Sequence, residues 1–390
     1  MRIAYSSESL PPLIDGVTRT LSEVVATLRE GGHDFLFLSA VTPAPGSPWH
    51  GHVHTVPSIP FPLYPCYRFC LPVARPLDRV LDRFAPDIVH VVTPSLLGQY
   101  LVGYARRRGL PVLASFHTDF VTVSAYYGLG SLERLGRYLA RRFYRQCAVT
   151  LVPSRSKAAD LRAHGIDNVE LWPRGVDPVT FSPTFRSAAL RAPAGGEDVP
   201  VLLYVGRLGR EKNLPYLAQA MRLLAARGTR FKLVIVGQGP LRARLAKLLP
   251  QALFTGHLDG EALSRWYASA DLFVFPSVAE TFGNVLLEAF SSGLPVVGVN
   301  QGSVRELVVP DWNGSLAPAD SPAAFADAVQ ALVERPLERA RLSAGAQATA
   351  AQYRWGDVNR QLLDHYHRLV GGRAAARRPT PDPVPLAVAV

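Results

Sequence analysis

Short apolar runs alternate with helix-length segments along almost the whole chain, and they do so in two separate series. A strand that returns parallel to its neighbour needs a crossover, and a helix is the usual one. The pattern therefore demands an α/β architecture with parallel sheets. Arg2 to Ser6 reads as strand, Val17 to Arg29 as helix and Gly31-Gly32 as its stop. Phe35 to Ser39, Asp87 to Val92, Val112 to Phe116 and Val149 to Val152 continue the strands. The second series opens near Val199. It has strands at Val201 to Val205, Leu253 to Thr255 and Asp271 to Pro276, and a helix from Leu214 to Arg227. Between the series, Phe181 to Pro200 is rich in Pro, Ala and Gly and has no period, as expected of a linker. The reading gives domains at 1–180 and 181–354, a last helix over 355–370 and a disordered tail over 371–390.

Bulk properties narrow the function. A net charge of +11 favours anionic partners: nucleotide phosphates, nucleic acid or an anionic membrane surface. Cys66, Cys70 and Cys147 are too few and too scattered for a disulfide framework, and no His/Cys cluster suggests zinc. Met1 leads straight into a strand without a signal peptide. No later run has the apolar length of a membrane span, so a cytoplasmic location is expected. Neither series follows its first strand with G-x-G-x-x-G, and Gly237-Gln-Gly239-Pro240 is too short a match. There is no Walker A sequence either, which disfavours dehydrogenases and P-loop enzymes.

The chemistry concentrates at Glu280-Thr-Phe-Gly-Asn-Val-Leu-Leu-Glu288. The strand Asp271 to Pro276 enters it, and a helix follows to Ser292, where Gly293 and Pro295 stop it. Glu280 then sits in the loop at the helix start and Glu288 about two turns inside. The open amides near Phe282, Gly283 and Asn284 face whatever the loop holds, and a helix N-terminus attracts phosphate. Upstream, Gly206-Arg-Leu-Gly-Arg-Glu-Lys212 leaves the strand Val201 to Val205. Arg207 and Lys212 therefore stand at a strand's carboxyl end, where open α/β sheets bind ligands. Two cations there suit a diphosphate, Arg as a fork and Lys as a point charge. Carboxylates beside a phosphate cradle suit a ligand anionic at one end and hydroxyl-rich elsewhere, as a nucleotide-sugar is. For a lone glutamate pair, a solvated surface would be the simpler reading.

Taken together, Pro11 to Val17, Ser115-Phe-His-Thr-Asp119, Leu151-Val-Pro-Ser154, Pro173-Arg-Gly-Val-Asp177, the Arg207/Lys212 segment and the two-glutamate segment resemble the retaining nucleotide-sugar glycosyltransferases of family four. Within that family the chain looks most like bacterial lipid mannosyltransferases and sulfoquinovosyl-lipid synthases. The resemblance implies the GT-B fold: two Rossmann-like domains facing each other across a cleft, with the last helix crossing back to the first. It implies that the loop at Gly16 and Val17 meets the donor's phosphates. It also implies that His117 touches the transferred sugar, that Glu280 binds sugar hydroxyls and that Glu288 binds the ribose. Gly256, His257 and Leu258 would hold the base. His117, Arg207, Lys212 and Glu280 would be the catalytic residues. Substitution would proceed on the front face, without a cofactor or a required metal ion. GDP-mannose is the preferred donor, with a UDP-hexose such as UDP-glucose as runner-up, and a lipid-linked or glycan hydroxyl is the acceptor. The competing class is a non-catalytic basic module, for membranes or nucleic acid, that keeps a transferase fold. Nucleic acid is not the expected partner.

Leu132 to Gln146 is amphipathic. Leu132, Leu135, Leu139 and Phe143 share one face, and Arg134, Arg137, Arg141 and Arg145 the other. A core-packed helix with a solvated basic face is one reading. A peripheral membrane patch at the inner face of the plasma membrane, with the aromatic Phe61 to Phe69 beside it, is the other.

Overall fold

The computed structural model describes residues 1–13, 15–61, 64–119, 121–122, 131, 133–194, 196 and 198–376. Seven parallel strands form the first sheet in the order β3-β2-β1-β6-β7-β8-β9. They are β1 Arg2–Ser6, β2 Asp34–Ser39, β3 Val53–Thr55, β6 Ile88–Val91, β7 Val112–Ser115, β8 Val149–Val152 and β9 Val169–Leu171. The hairpin β4 Ser58–Phe61 and β5 Tyr64–Cys70 stands apart as an antiparallel pair. Six parallel strands form the second sheet in the order β12-β11-β10-β13-β14-β15. These are β10 Val201–Val205, β11 Lys232–Val236, β12 Leu253–Gly256, β13 Leu272–Phe275, β14 Val296–Val299 and β15 Gly314–Ala317. Each central strand is buried along its whole length. Helices cover both faces of such a sheet, so strands read as continuous apolar runs rather than as alternation.

The linker reading of Phe181 to Pro200 needs a correction. The segment holds a short helix, Ala188–Arg191, fixed by polar anchors that leave no apolar period. Arg191 is buried, and its Nη1 donates to Asp271 Oδ2 and to the Ser269 carbonyl, both at 2.8 Å. The tail reading is also corrected in part. The last helix runs from Trp355 through Ala376, past Gly371, and residues 377–390 lie outside the described residues.

The last helix packs on the first sheet, as the crossing-back expectation requires. Val358, Leu362 and Tyr366 are buried against Tyr5, Phe37 and Trp172. Each buried apolar side chain contributes roughly 1.5–3 kcal/mol, which is enough to fix the crossing. Trp172 Nε1 donates to the Val358 carbonyl at 3.1 Å, and Asn359 bonds Thr27 of the first helix at 2.9 Å.

The amphipathic segment forms the helix Glu133–Tyr144; Leu132 lies outside the described residues. Its apolar side chains do not all pack inward. Phe143 is buried, but Leu135, Tyr138 and Leu139 are 55%, 58% and 53% exposed. Arg134, Arg141, Arg142 and Arg145 are exposed as well, so basic and apolar residues share the outer surface. Cys70 and Cys147 are buried free thiols, and Cys66 and Cys70 both lie on β5.

Candidate active site

The loops after β10 and β11 cross at glycine. A Cβ on Gly237, whose φ is 139°, would lie 2.0 Å from the Gly206 carbonyl oxygen. The incomplete glycine pattern of Gly237 and Gly239 is thus a packing requirement of two strand-end loops. Beyond Gly206 the chain turns through Arg207 and the short 3₁₀ turn Arg210–Lys212. Arg207 pairs with the buried Glu211 at 2.9 Å, and Lys212 Nζ donates to Glu280 Oε1 at 2.5 Å. Burial pushes the Glu280 carboxyl up. Lys212, with Arg207 further off, outweighs it and holds the group below the usual carboxylate range.

Gly283, with φ 101°, turns the chain into the helix Asn284–Ser291. Phe282 faces inward, against Tyr353, so only its backbone can meet a ligand. Glu288 is the fifth residue of this helix, one turn in rather than two. It is buried, and both its oxygens are engaged. Tyr267 Oη donates to Oε2 at 2.8 Å, and Arg19 Nη1, from the first helix Gly16–Glu30, donates to Oε1 at 2.8 Å. A Cβ on Gly16 would lie 3.5 Å from Asn284 Nδ2, so these two residues face each other across the cleft. Asp15 caps the first helix through the Thr18 amide at 2.7 Å, which leaves the Gly16 and Val17 amides as its open donors. Gly256 ends β12, with His257 exposed and Leu258 packed on the second core.

The first sheet supplies the opposing wall. His117 follows β7, and both ring nitrogens are engaged inside the domain. Nε2 lies 2.8 Å from Ser115 Oγ, and Nδ1 accepts from Arg174 Nη2 at 3.2 Å. Burial, with the Arg174 cation and His90 nearby, holds this imidazole well below the usual histidine range. Asp119 pairs with Lys157 at 2.8 Å. Besides Arg19–Glu288, further hydrogen bonds lace the halves together. Thr281 Oγ1 donates to the His117 carbonyl at 3.0 Å, and Ser154 Oγ donates to the Thr281 carbonyl at 2.8 Å. Glu306 accepts from the Arg155 and Ser156 amides at 2.8 and 2.6 Å.

Residues 14–180 match the family described as Glycosyltransferase Family 4, and residues 199–335 match Glycosyl transferases group 1. Over 380 residues the chain is 37% identical to a GDP-mannose-dependent alpha-mannosyltransferase of Mycolicibacterium smegmatis, covering 96% of this chain and 99% of that one. The chain belongs to glycosyltransferase family 4. This family 4 hexosyltransferase is also 31% identical over 365 residues to sulfoquinovosyl transferase SQD2 of Arabidopsis thaliana, covering 91% and 71% of the two chains. Its GT-B fold superposes on sucrose-phosphate synthase from Thermosynechococcus elongatus with a TM-score of 0.78 at 22% identity, covering 95% of this chain and 99% of that one.

The family 4 fold brings Lys212 and Glu280 into direct contact, sets Glu288 in the helix that follows and brings Gly16 up to Asn284. Sequence reasoning missed Arg19, Tyr267, Thr281 and Glu306. It also missed the part played by Ser115 and Arg174, although both stand inside segments that carry the resemblance. Among the described residues, no group of three or more His, Cys, Asp or Glu side chains could hold a metal ion.

Proposed function

We propose that this family 4 glycosyltransferase moves mannose from GDP-mannose to a hydroxyl of a lipid-linked acceptor, with retention of configuration. The Lys212–Glu280 pair carries the reading. It puts a cation for the departing diphosphate and a carboxylate for the sugar hydroxyls on adjacent positions of one strand-end surface. The bond from the sugar's anomeric carbon to the diphosphate breaks, and the acceptor oxygen bonds on the same face. The acceptor's proton passes to the departing phosphate oxygen. Arg207, Lys212 and the Gly283–Asn284 amides take up the charge that develops there, which is the largest catalytic term in such a site. Glu288, held by Tyr267 and Arg19, receives the ribose hydroxyls. The preference for GDP-mannose is supported by the 37% identical relative of that name.

The lipid acceptor is supported by the outer surface of the first half. Leu135, Tyr138 and Leu139 project among arginines, and the β4–β5 hairpin exposes Ile59 and Phe69. No helix among the described residues is long and apolar enough to cross a membrane. We place the enzyme at the inner face of the plasma membrane as a peripheral protein.

Purified protein incubated with GDP- and UDP-hexoses tests the donor. Hydrolysis or transfer is expected with GDP-mannose, and a UDP-hexose as the only donor used would overturn the choice. The anomeric configuration of the product, read by NMR, tests retention. Phosphate charge is met by side-chain cations and helix amides, so activity is expected to survive excess chelator. Complete loss restored by a divalent ion would refute that assignment. Absence of turnover with every nucleotide-sugar, together with binding to lipid or nucleic acid, would favour the non-catalytic class.

A further inference from the structure

His117 is the half-buried end of a chain of hydrogen bonds that crosses the first sheet and reaches the last helix. Ser115 Oγ, 2.8 Å from His117 Nε2, is also 2.8 Å from His90 Nε2. His90 Nδ1 is 2.6 Å from the Tyr366 hydroxyl, and that hydroxyl is 2.7 Å from the Tyr5 hydroxyl. Tyr5, His90, Ser115 and Tyr366 are all buried. Residues 115 and 117 are near in sequence, but Tyr5 and Tyr366 come from opposite ends of the chain.

The order of donors follows from one end. Arginine only donates, so His117 Nδ1 must accept from Arg174. The proton of a neutral His117 is then on Nε2 and is donated to Ser115 Oγ. Ser115 passes its own proton toward His90 Nε2. His90 is left with its proton on Nδ1, donated to Tyr366. Arg174 is itself buried, donates to the Trp172 and Phe116 carbonyls and lies over the Trp172 ring at 4.7 Å. A second proton on His117 would leave two cations in contact in a buried place, a costly arrangement. The other charges near this corner, Asp119 and Lys157, pair with each other.

We propose that Arg174, Ser115, His90 and Tyr366 are positioning residues that lock His117 as the neutral Nε2–H tautomer and tie this wall of the cleft to the crossing helix. The bearing on turnover rests on the function proposed above; the tautomer does not. His117 in this state is neither a general acid nor a general base. It is a fixed, uncharged wall whose backbone carbonyl holds Thr281, next to Glu280. Movement of the last helix reaches that wall through Tyr366.

Nitrogen NMR of the full chain labelled at histidine reads the tautomers directly. His117→Gln and His90→Gln assign the signals by their loss. At neutral pH the expected result is an Nε2–H tautomer for His117 and Nδ1–H for His90. An imidazolium or an Nδ1–H tautomer at His117 in the wild-type protein would overturn the proposal. Ser115→Ala removes the acceptor, and Tyr366→Phe cuts the chain with little change of shape. Each is expected to shift the His117 signals and to lower kcat by about tenfold, the size of one lost hydrogen bond, with donor KM within about twofold. Unchanged signals and wild-type kcat in both would overturn it equally. Arg174→Met removes the donor to Nδ1, so His117 should lose its fixed Nε2–H signal pattern, whereas Arg174→Lys should keep the wild-type pattern. Should Arg174→Met fail to fold, the wild-type tautomers and Tyr366→Phe still decide. Should no nucleotide-sugar be turned over, the functional reading fails while the NMR result judges the chain on its own.

Discussion

On the wall contributed by the second sheet, carboxylates meet cations. Glu280 is bonded to Lys212, Glu211 to Arg207, and Glu288 to Arg19 reaching over from the other half. On the wall contributed by the first sheet, His117 is neutral and joined by hydrogen bonds to Ser115 and His90 behind it, with Arg174 the cation at one end and the Asp119–Lys157 pair beside it. One wall therefore carries movable charge that a phosphate or a hydroxyl can compete for. The other is a preset lattice of donors and acceptors that gains nothing by exchanging partners. The difference suits a cleft that binds an anionic donor on one side and must hold still on the other.

The contrast is broken most sharply at the charged wall. Lys212→Ala is expected to lower turnover by about thirty- to a thousand-fold, because a charge-assisted contact in a dry site contributes roughly 2–4 kcal/mol to the transition state. Arg207→Ala should also cost orders of magnitude, but less than Lys212→Ala, since the Arg207 side chain is 49% exposed against 19% for Lys212. Steady-state kinetics with melting curves separate this from unfolding. Turnover near wild type in both variants would remove the pair from the site.

Acid should distinguish the two walls by stability. The His90 imidazole is driven down to about 3 by burial and the Arg174 cation, and His117 is also lowered. Both are neutral when folded and take up a proton when unfolded, so their contribution is full above the usual histidine value of 6.5 and declines as pH falls below it. Two pH units below that value the loss is about 2–3 kcal/mol for His90, and His117 adds to it in the same direction. Glu280 is also lowered, but from 4.5, so its contribution persists until pH falls past that value. Hydrogen exchange at pH 5 should therefore show protection lost first around β6 and β7 and retained around β10 and β13. Equal loss in both halves would contradict the difference between the walls.

Much of the charged wall was legible because it is local. Arg207 and Lys212 lie within one loop, and Glu280 and Glu288 within one loop and helix, so strand ends and helix starts placed them; the partner Glu211 was not singled out. The neutral wall was not. Its bonds join residues 25, 276 and 361 positions apart, and no spacing encodes such contacts. Ser115 and Arg174 were visible in their segments, yet their partners were not. Arg19 was hidden for the same reason: its carboxylate lies 269 positions away in the other half. The strand alternation gave β1, β2, β6, β7 and β8 of the first sheet and β10, β12 and β13 of the second, while β3, β9, β11, β14 and β15 were not read. The β4–β5 hairpin and the ordered helix Ala188–Arg191 escaped because proline and polar anchors, not apolar periodicity, shape them.

Arg19 sharpens the comparison at the seam. It is 39% exposed and holds a carboxylate that the donor's ribose would need. Arg19→Met should raise the donor KM by several-fold to about tenfold while kcat changes less, in keeping with one partly exposed charged contact. With Glu306→Ala added, the ligand-free halves should separate, since the Glu306 bonds to the Arg155 and Ser156 amides go as well. Small-angle scattering should then show a larger radius without donor and recovery of the wild-type radius at saturation. An unchanged radius in the ligand-free double variant would mean that other contacts hold the cleft shut.

The outer surfaces of the halves differ too, and here the expected effect is smallest. The first half exposes Leu135, Tyr138 and Leu139 on one helix, with Ile59, Phe69, Leu71 and Val73 on and after the β4–β5 hairpin. The Leu96–Arg108 helix packs on β5, and its Gln99 bonds Gln146 just past the Glu133–Tyr144 helix at 3.3 Å, which links the hairpin side to that helix. Four arginines, Arg134, Arg141, Arg142 and Arg145, are exposed in the same stretch. Each basic residue near an anionic surface adds about 1 kcal/mol and loses it beyond a Debye length. The projecting apolar side chains add area to bury, so insertion at the headgroup level, rather than adsorption alone, is expected. Liposome sedimentation should show binding to anionic vesicles, weak binding to neutral ones and partial survival in high salt. Replacing the four arginines with Gln should remove the salt-sensitive part. Leu135→Ser with Leu139→Ser should remove the salt-resistant part, with nucleotide binding intact in both. A wild-type protein that ignores anionic vesicles would detach the first half from the membrane, and a soluble glycan would then replace the lipid as the acceptor to test.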